Sequence, residues 1–221
     1  MDASPPKASQ LASHPVNVPL ARPHPTASGA VGSAPLVLVD LETDQRLASH
    51  AHALPFEPTP ETSSDFWSNL YDFWPKNQAA ADEELFHDII PFIQTRYNIS
   101  DEPRERAIAG FSMGGLQALG TGIAHLGYFS WMGVFSPTPP SVLGDELDNA
   151  LKDPNKINAN LRLFEIVSGD NDFMTGPLTS QFENQLRALN IHHVYTVMPG
   201  THSMFVWRPA LSNFLQEIFK H

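Results

Sequence analysis

Arg106-Ala107-Ile108-Ala109-Gly110-Phe111-Ser112-Met113-Gly114-Gly115 is the stretch on which the architecture turns. Arg106 to Phe111 reads as a short strand, Gly110-Phe111-Ser112-Met113-Gly114 fits Gly-x-Ser-x-Gly, and a helix is expected from Gly114 to about His125. In a nucleophile elbow the serine occupies a strained strand-to-helix turn, and the flanking glycines remove Cβ atoms that would collide there. The turn lifts Oγ above the sheet edge and aims the first N–H groups of the helix at the same place, where developing negative charge is favoured. Met113 N–H is then the natural first oxyanion donor. The competing reading is a glycine-rich turn that serves close packing alone.

Working outward, strand and helix alternate. Leu36-Val37-Leu38-Val39 is a continuous aliphatic run of the kind buried on both faces. A helix is expected over Ala79 to Tyr97, with Leu85, Phe86, Ile89, Ile90, Phe92 and Ile93 on one broad face and a kink at Pro91. Strands follow at Trp131 to Phe135, Leu161 to Val167 and His193 to Met198, with helices at Leu178 to Leu189 and Leu211 to Lys220. Phe66, Trp67, Leu70, Tyr71, Phe73 and Trp74 form an irregular aromatic cluster, read as a covering loop or short helix. Pro137 to Asn160 is read as a solvated connecting loop. This alternation predicts an α/β fold, a parallel sheet with helices on both faces.

A serine hydroxyl is a poor nucleophile without a base in reach and a group that orients the base. Ser168-Gly169-Asp170-Asn171-Asp172 follows one strand, and Pro199-Gly200-Thr201-His202-Ser203 follows the next. Both loops leave the carboxyl ends of parallel strands, where such sheets place their functional residues. Of the ten histidines, His202 alone follows a glycine turn in that position, which makes it the candidate base. Asp170 and Asp172 share one loop; spacing does not choose between them, and either also suits a simple turn.

Composition bounds the rest. The chain has 221 residues and a net charge of −11, one domain's worth with no basic face for nucleic acid. No apolar run approaches the roughly 20 residues that span a bilayer. The absence of cysteine removes disulfides and thiolate chemistry, and no ligand cluster calls for a metal or organic cofactor. Ten of the twenty prolines fall in the first 60 residues, and the first of the twenty-two aromatics is Phe56. Residues 1–34 are therefore expected to be a flexible Pro/Ala/Ser-rich leader and 35–221 the folded domain. The leader has an acid and two prolines where a secretory signal needs a basic end and an apolar run, which gives a cytoplasmic placement by default.

The elbow Ala107 to Gly115, the turn Gly169-Asp170-Asn171-Asp172 and the run Gly200 to Arg208 together resemble the esterase family of α/β-hydrolases that contains feruloyl esterases and acetyl xylan esterases. The resemblance covers about Ala79 to His221. It implies Ser112 as nucleophile, His202 as general base and acid, Asp172 as the triad acid and Met113 N–H in the oxyanion hole. Trp207 has two readings, stacking on an aromatic acyl group or packing under the His202 loop.

One departure lies upstream. The family's second oxyanion donor comes from a His-Gly loop, and the sequence contains no His-Gly pair. The fold is thus expected to be N-terminally incomplete, with three accounts open: a truncated chain, a shortened enzyme whose second donor comes from elsewhere or from a partner subunit, or a relative that no longer turns over. An exposed sheet edge would favour a homo-oligomer. The leading expectation is a serine carboxylic-ester hydrolase acting on feruloyl or acetyl esters of carbohydrate or small alcohols. The alternatives are a non-catalytic hydrolase-fold binding protein and an acyltransferase.

Overall fold

The chain winds one way across its sheet. In the computed structural model, which describes residues 36–40, 63–137 and 139–220, five parallel strands lie side by side in sequence order. They are β1 (Leu36–Asp40), β2 (Arg106–Phe111), β3 (Trp131–Phe135), β4 (Leu163–Gly169) and β5 (Val194–Met198). The helices are α1 (Ser63–Glu84), α2 (Ile90–Gln94), α3 (Met113–Ala124), α4 (Asp145–Leu151), α5 (Pro154–Asn160), α6 (Gly176–Ala188) and α7 (Met204–Glu217). The expected leader lies outside the described residues.

Right-handed crossovers taken in one direction stack their helices on one face. Ile108, Met132, Val134, Phe164 and Ile166 accordingly pack with Trp74 of α1, Leu116 and Leu119 of α3, Leu147 of α4, Ile157 of α5 and Phe182 and Leu186 of α6. The opposite face carries Ala107, Ala109, Phe111, Trp131, Phe135 and Val167, covered by Val206, Trp207, Ala210 and Phe214 of α7. Helices do flank both faces, and among the described residues α7 alone serves the second. Each fully buried aliphatic or aromatic side chain here contributes roughly 1.5–3 kcal/mol of transfer free energy.

Several sequence expectations are corrected. The helix expected from Ala79 begins at Ser63, so of the loop and short helix expected for the aromatic cluster the structure has helix, a longer one of 22 residues. The expected kink at Pro91 is a π-turn over Leu85–Ile89, in which Ile90 N–H reaches back to the Leu85 carbonyl. Pro91 has no N–H and its ring collides with the carbonyl four residues back, so the ladder widens just before it. The broad apolar face there is only partly used, since Ile89 and Phe92 are exposed. The stretch from Pro137 to Asn160 holds α4 and α5 rather than an open loop, and α7 starts at Met204, seven residues earlier than expected.

Candidate active site

β2, β4 and β5 end on the same side of the sheet, and the turns that follow them converge there. The elbow forms because Gly110 allows the close approach: a Cβ there would overlap the Gly114 carbonyl oxygen of α3. Ser112 takes φ 56 and ψ −124, a region that side-chain-bearing residues occupy only under strain. Its N–H donates to the Phe135 carbonyl at 2.9 Å, tying the turn to the end of β3. Met113 opens α3, so its N–H lies at the positive end of that helix.

The other two turns are fastened to each other. Asp170 N–H donates to the Met198 carbonyl at 2.8 Å and Asn171 N–H to the Gly200 carbonyl at 2.9 Å. Gly200 N–H returns a bond to Asp170 Oδ1 at 2.8 Å. Gly169 permits this approach, since a Cβ there would overlap the Gly200 carbonyl oxygen. Asp170 is therefore a staple between the two loops.

Asp172 points inward instead. His202 Nε2 lies 2.9 Å from Ser112 Oγ, and His202 Nδ1 lies 2.8 Å from Asp172 Oδ2. Asp172 is buried, and its Oδ1 accepts from the backbone N–H groups of Met174 and Thr175 at 3.1 and 3.0 Å. Burial pushes the Asp172 carboxyl up, but the Thr175 N–H, the hydrogen bond and charge of His202 and the Thr175 hydroxyl outweigh it and hold the group below its ordinary value. The ionised carboxylate accepts only, so Nδ1 carries the proton and Nε2 is left to accept from the serine.

The structure thus brings Ser112, with Met113 beside it, together with Asp172 and His202. Of the two readings of Trp207, its contacts fit the second, packing under the His202 loop. It is only 6% exposed, stacks on Phe111 with centroids 4.3 Å apart, and meets the His202 ring edge-on at 4.8 Å. It is a floor beneath the imidazole and presents no face to a ligand. Sequence reasoning missed Thr175, fully buried against Asp172 and His202; the Asp-x-x-Thr spacing was its only trace. The rim was missed as well: Phe173 is 87% exposed and Phe205 90%, on the two segments that carry Asp172 and His202. Residues 41–62, which follow β1, lie outside the described residues. Among the described residues, no group of three or more His, Cys, Asp or Glu side chains is placed to hold a metal ion.

The parallel sheet, the elbow and the converging turns define an α/β-hydrolase-like fold. Residues 71–218 match the family model described as "Putative esterase", and the chain belongs to that family. A ferulic acid esterase of the anaerobic fungus Anaeromyces mucronatus, in complex with ferulic acid, aligns with a TM-score of 0.58 at 18% identity, covering 85% of this chain and 80% of that one. A fluorophosphonate-binding serine hydrolase of Staphylococcus aureus aligns with a TM-score of 0.58 at 14% identity and 86% coverage of both chains. In two further alignments this chain spans little more than half of a ferulic acid esterase, 57% and 56%. At these identities the likeness is one of fold.

Proposed function

We propose that this protein is a serine carboxylic-ester hydrolase that works through an acyl-enzyme on Ser112. The observation that carries the reading is the unbroken chain Ser112 Oγ, His202 Nε2, His202 Nδ1 and Asp172 Oδ2, with spacings of 2.9 and 2.8 Å. Ser112 Oγ attacks the ester carbonyl carbon as His202 Nε2 takes its proton, and Asp172 stabilises the imidazolium that forms. The carbonyl oxygen becomes an oxyanion beside Met113 N–H at the N-terminus of α3, where the aligned peptide dipoles favour it. His202 then returns the proton to the leaving alcohol. Water repeats the sequence and releases the acid, leaving Ser112 protonated.

The substrate class is a small-molecule or carbohydrate ester, of feruloyl or acetyl type. Family membership supports ester chemistry, and the exposed Phe173 and Phe205 beside the triad favour an acyl group with apolar surface over acetate. A fluorophosphonate probe tests the reading. It should label the wild-type protein and not Ser112→Ala, with p-nitrophenyl ester hydrolysis lost in step; a folded wild type that takes no label would rule the proposal out.

A further inference from the structure

We propose that Thr175 is a positioning residue of the triad, its hydroxyl donating to the same Asp172 oxygen that receives the His202 Nδ1 proton. The inference rests on the esterase reading of the site. Thr175 stands at the N-cap of α6, where a threonine hydroxyl ordinarily accepts a first-turn N–H. Here it makes no capping bond. It is turned inward at 0% exposure, 2.9 Å from Asp172 Oδ2, 3.3 Å from His202 Nδ1 and 3.3 Å from the Ser136 carbonyl oxygen.

A hydroxyl has one proton, and the nearest charged acceptor takes it, so Thr175 donates to Asp172 Oδ2. With Met174 and Thr175 N–H on Oδ1 and His202 Nδ1–H on Oδ2, the carboxylate holds four donors. It cannot rotate without breaking several of them. The Thr175 lone pairs face Nδ1–H from the other side, which disfavours the tautomer that would leave Nδ1 bare. Packing alone would be met by valine, which fills the same space without burying a hydroxyl. Ser136 lies behind Thr175: buried, with φ 43, its carbonyl oxygen is 3.3 Å from the Thr175 hydroxyl and its N–H donates to the Val167 carbonyl at 2.7 Å. The ends of β3 and β4 are thereby joined behind the triad.

Two variants separate positioning from packing, Thr175→Val and Thr175→Ser, read by NMR titration of His202 and by the rate of fluorophosphonate labelling. Two further charged groups lie on the segments that carry Asp172 and His202, Asp170, engaged with Gly200 N–H, and Arg208, exposed on α7; neither is altered. Without the hydroxyl, Oδ2 concentrates its charge on the imidazolium, so in Thr175→Val the His202 titration moves up from its wild-type position. Labelling slows about tenfold as the imidazole loses its orientation. Thr175→Ser keeps the wild-type titration and rate, and Thr175→Ala replaces valine if that variant does not fold. Wild-type behaviour of the hydroxyl-free variant overturns the proposal, and so does a serine variant that falls as far. If the wild type takes no label, the esterase reading fails, while the His202 titration still decides the role of Thr175.

Discussion

A Cβ on Gly110 would overlap the carbonyl oxygen of Gly114, so strand and helix touch backbone to backbone across the elbow. No side chain is available to give way at that contact. Gly110→Ala should therefore move α3 off the sheet and cost about 3 kcal/mol or more. Urea unfolding combined with fluorophosphonate labelling checks this: a lowered midpoint and loss of label are expected, and a wild-type midpoint would contradict the close approach.

Ser112 is held at φ 56 and ψ −124, where glycine alone is at ease. Ser112→Gly relieves that strain and, after the extra unfolded-state entropy of glycine, should stabilise the protein by about 1 kcal/mol. Calorimetry should show a Tm about 2–4 °C higher with labelling abolished. A lower Tm would mean that the elbow is unstrained.

Phe173 and Phe205 bury almost nothing in the free protein, so their area is available to a ligand. Turnover of p-nitrophenyl octanoate should exceed that of the acetate in kcat/KM. Changing both residues to serine should reduce that octanoate-to-acetate ratio by about tenfold, the effect of roughly 1.4 kcal/mol of lost apolar contact. A ratio unmoved by the double change would place the acyl group elsewhere.

Glu165 lies on the α7 face of β4 at 8% exposure, and its Oε2 has no hydrogen-bond partner among the described residues. Burial pushes its carboxyl above the ordinary value, and the nearby Glu217 carboxylate pushes the same way. A raised folded-state pKa contributes stability that is fully present below the ordinary value of 4.5 and is lost as pH rises through the folded value. Glu165→Gln removes the ionisation, so its Tm advantage over the wild type should widen from pH 4 to pH 8, to about 2–4 °C. A constant difference across that range would show that Glu165 ionises freely.

What was legible in the sequence was what backbone chemistry dictates. β2 and β3 run over the residues expected, Arg106–Phe111 and Trp131–Phe135, because each is a short buried run that ends in a turn. The loops after β4 and β5 were found because glycine and aspartate mark strand ends. Helix limits were harder: the helices expected from Ala79 and Leu211 begin upstream of Pro75 and Pro209, at Ser63 and Met204. Pro75 lies inside α1 and Pro209 inside α7, where packing of Trp74 and of Val206, Trp207 and Ala210 holds each helix through the break. The buried face of α1 also includes Gln78, bonded to Thr121 and Asp82, which no apolar pattern reveals. Thr175 leaves no trace in the sequence beyond its spacing from Asp172, and only three-dimensional contact shows its hydroxyl facing Asp172 and His202.

Because the strands lie in the order in which they occur along the chain, each can join the growing edge as it leaves the ribosome. Ser112 is made ninety residues before His202, several seconds ahead at roughly 5–20 residues per second. The elbow is thus built early, and β5, the last described strand of the sheet, brings His202 to it. Assembly of the described sheet and closure of the Ser112–His202–Asp172 contacts become a single event, timed by the arrival of one edge strand.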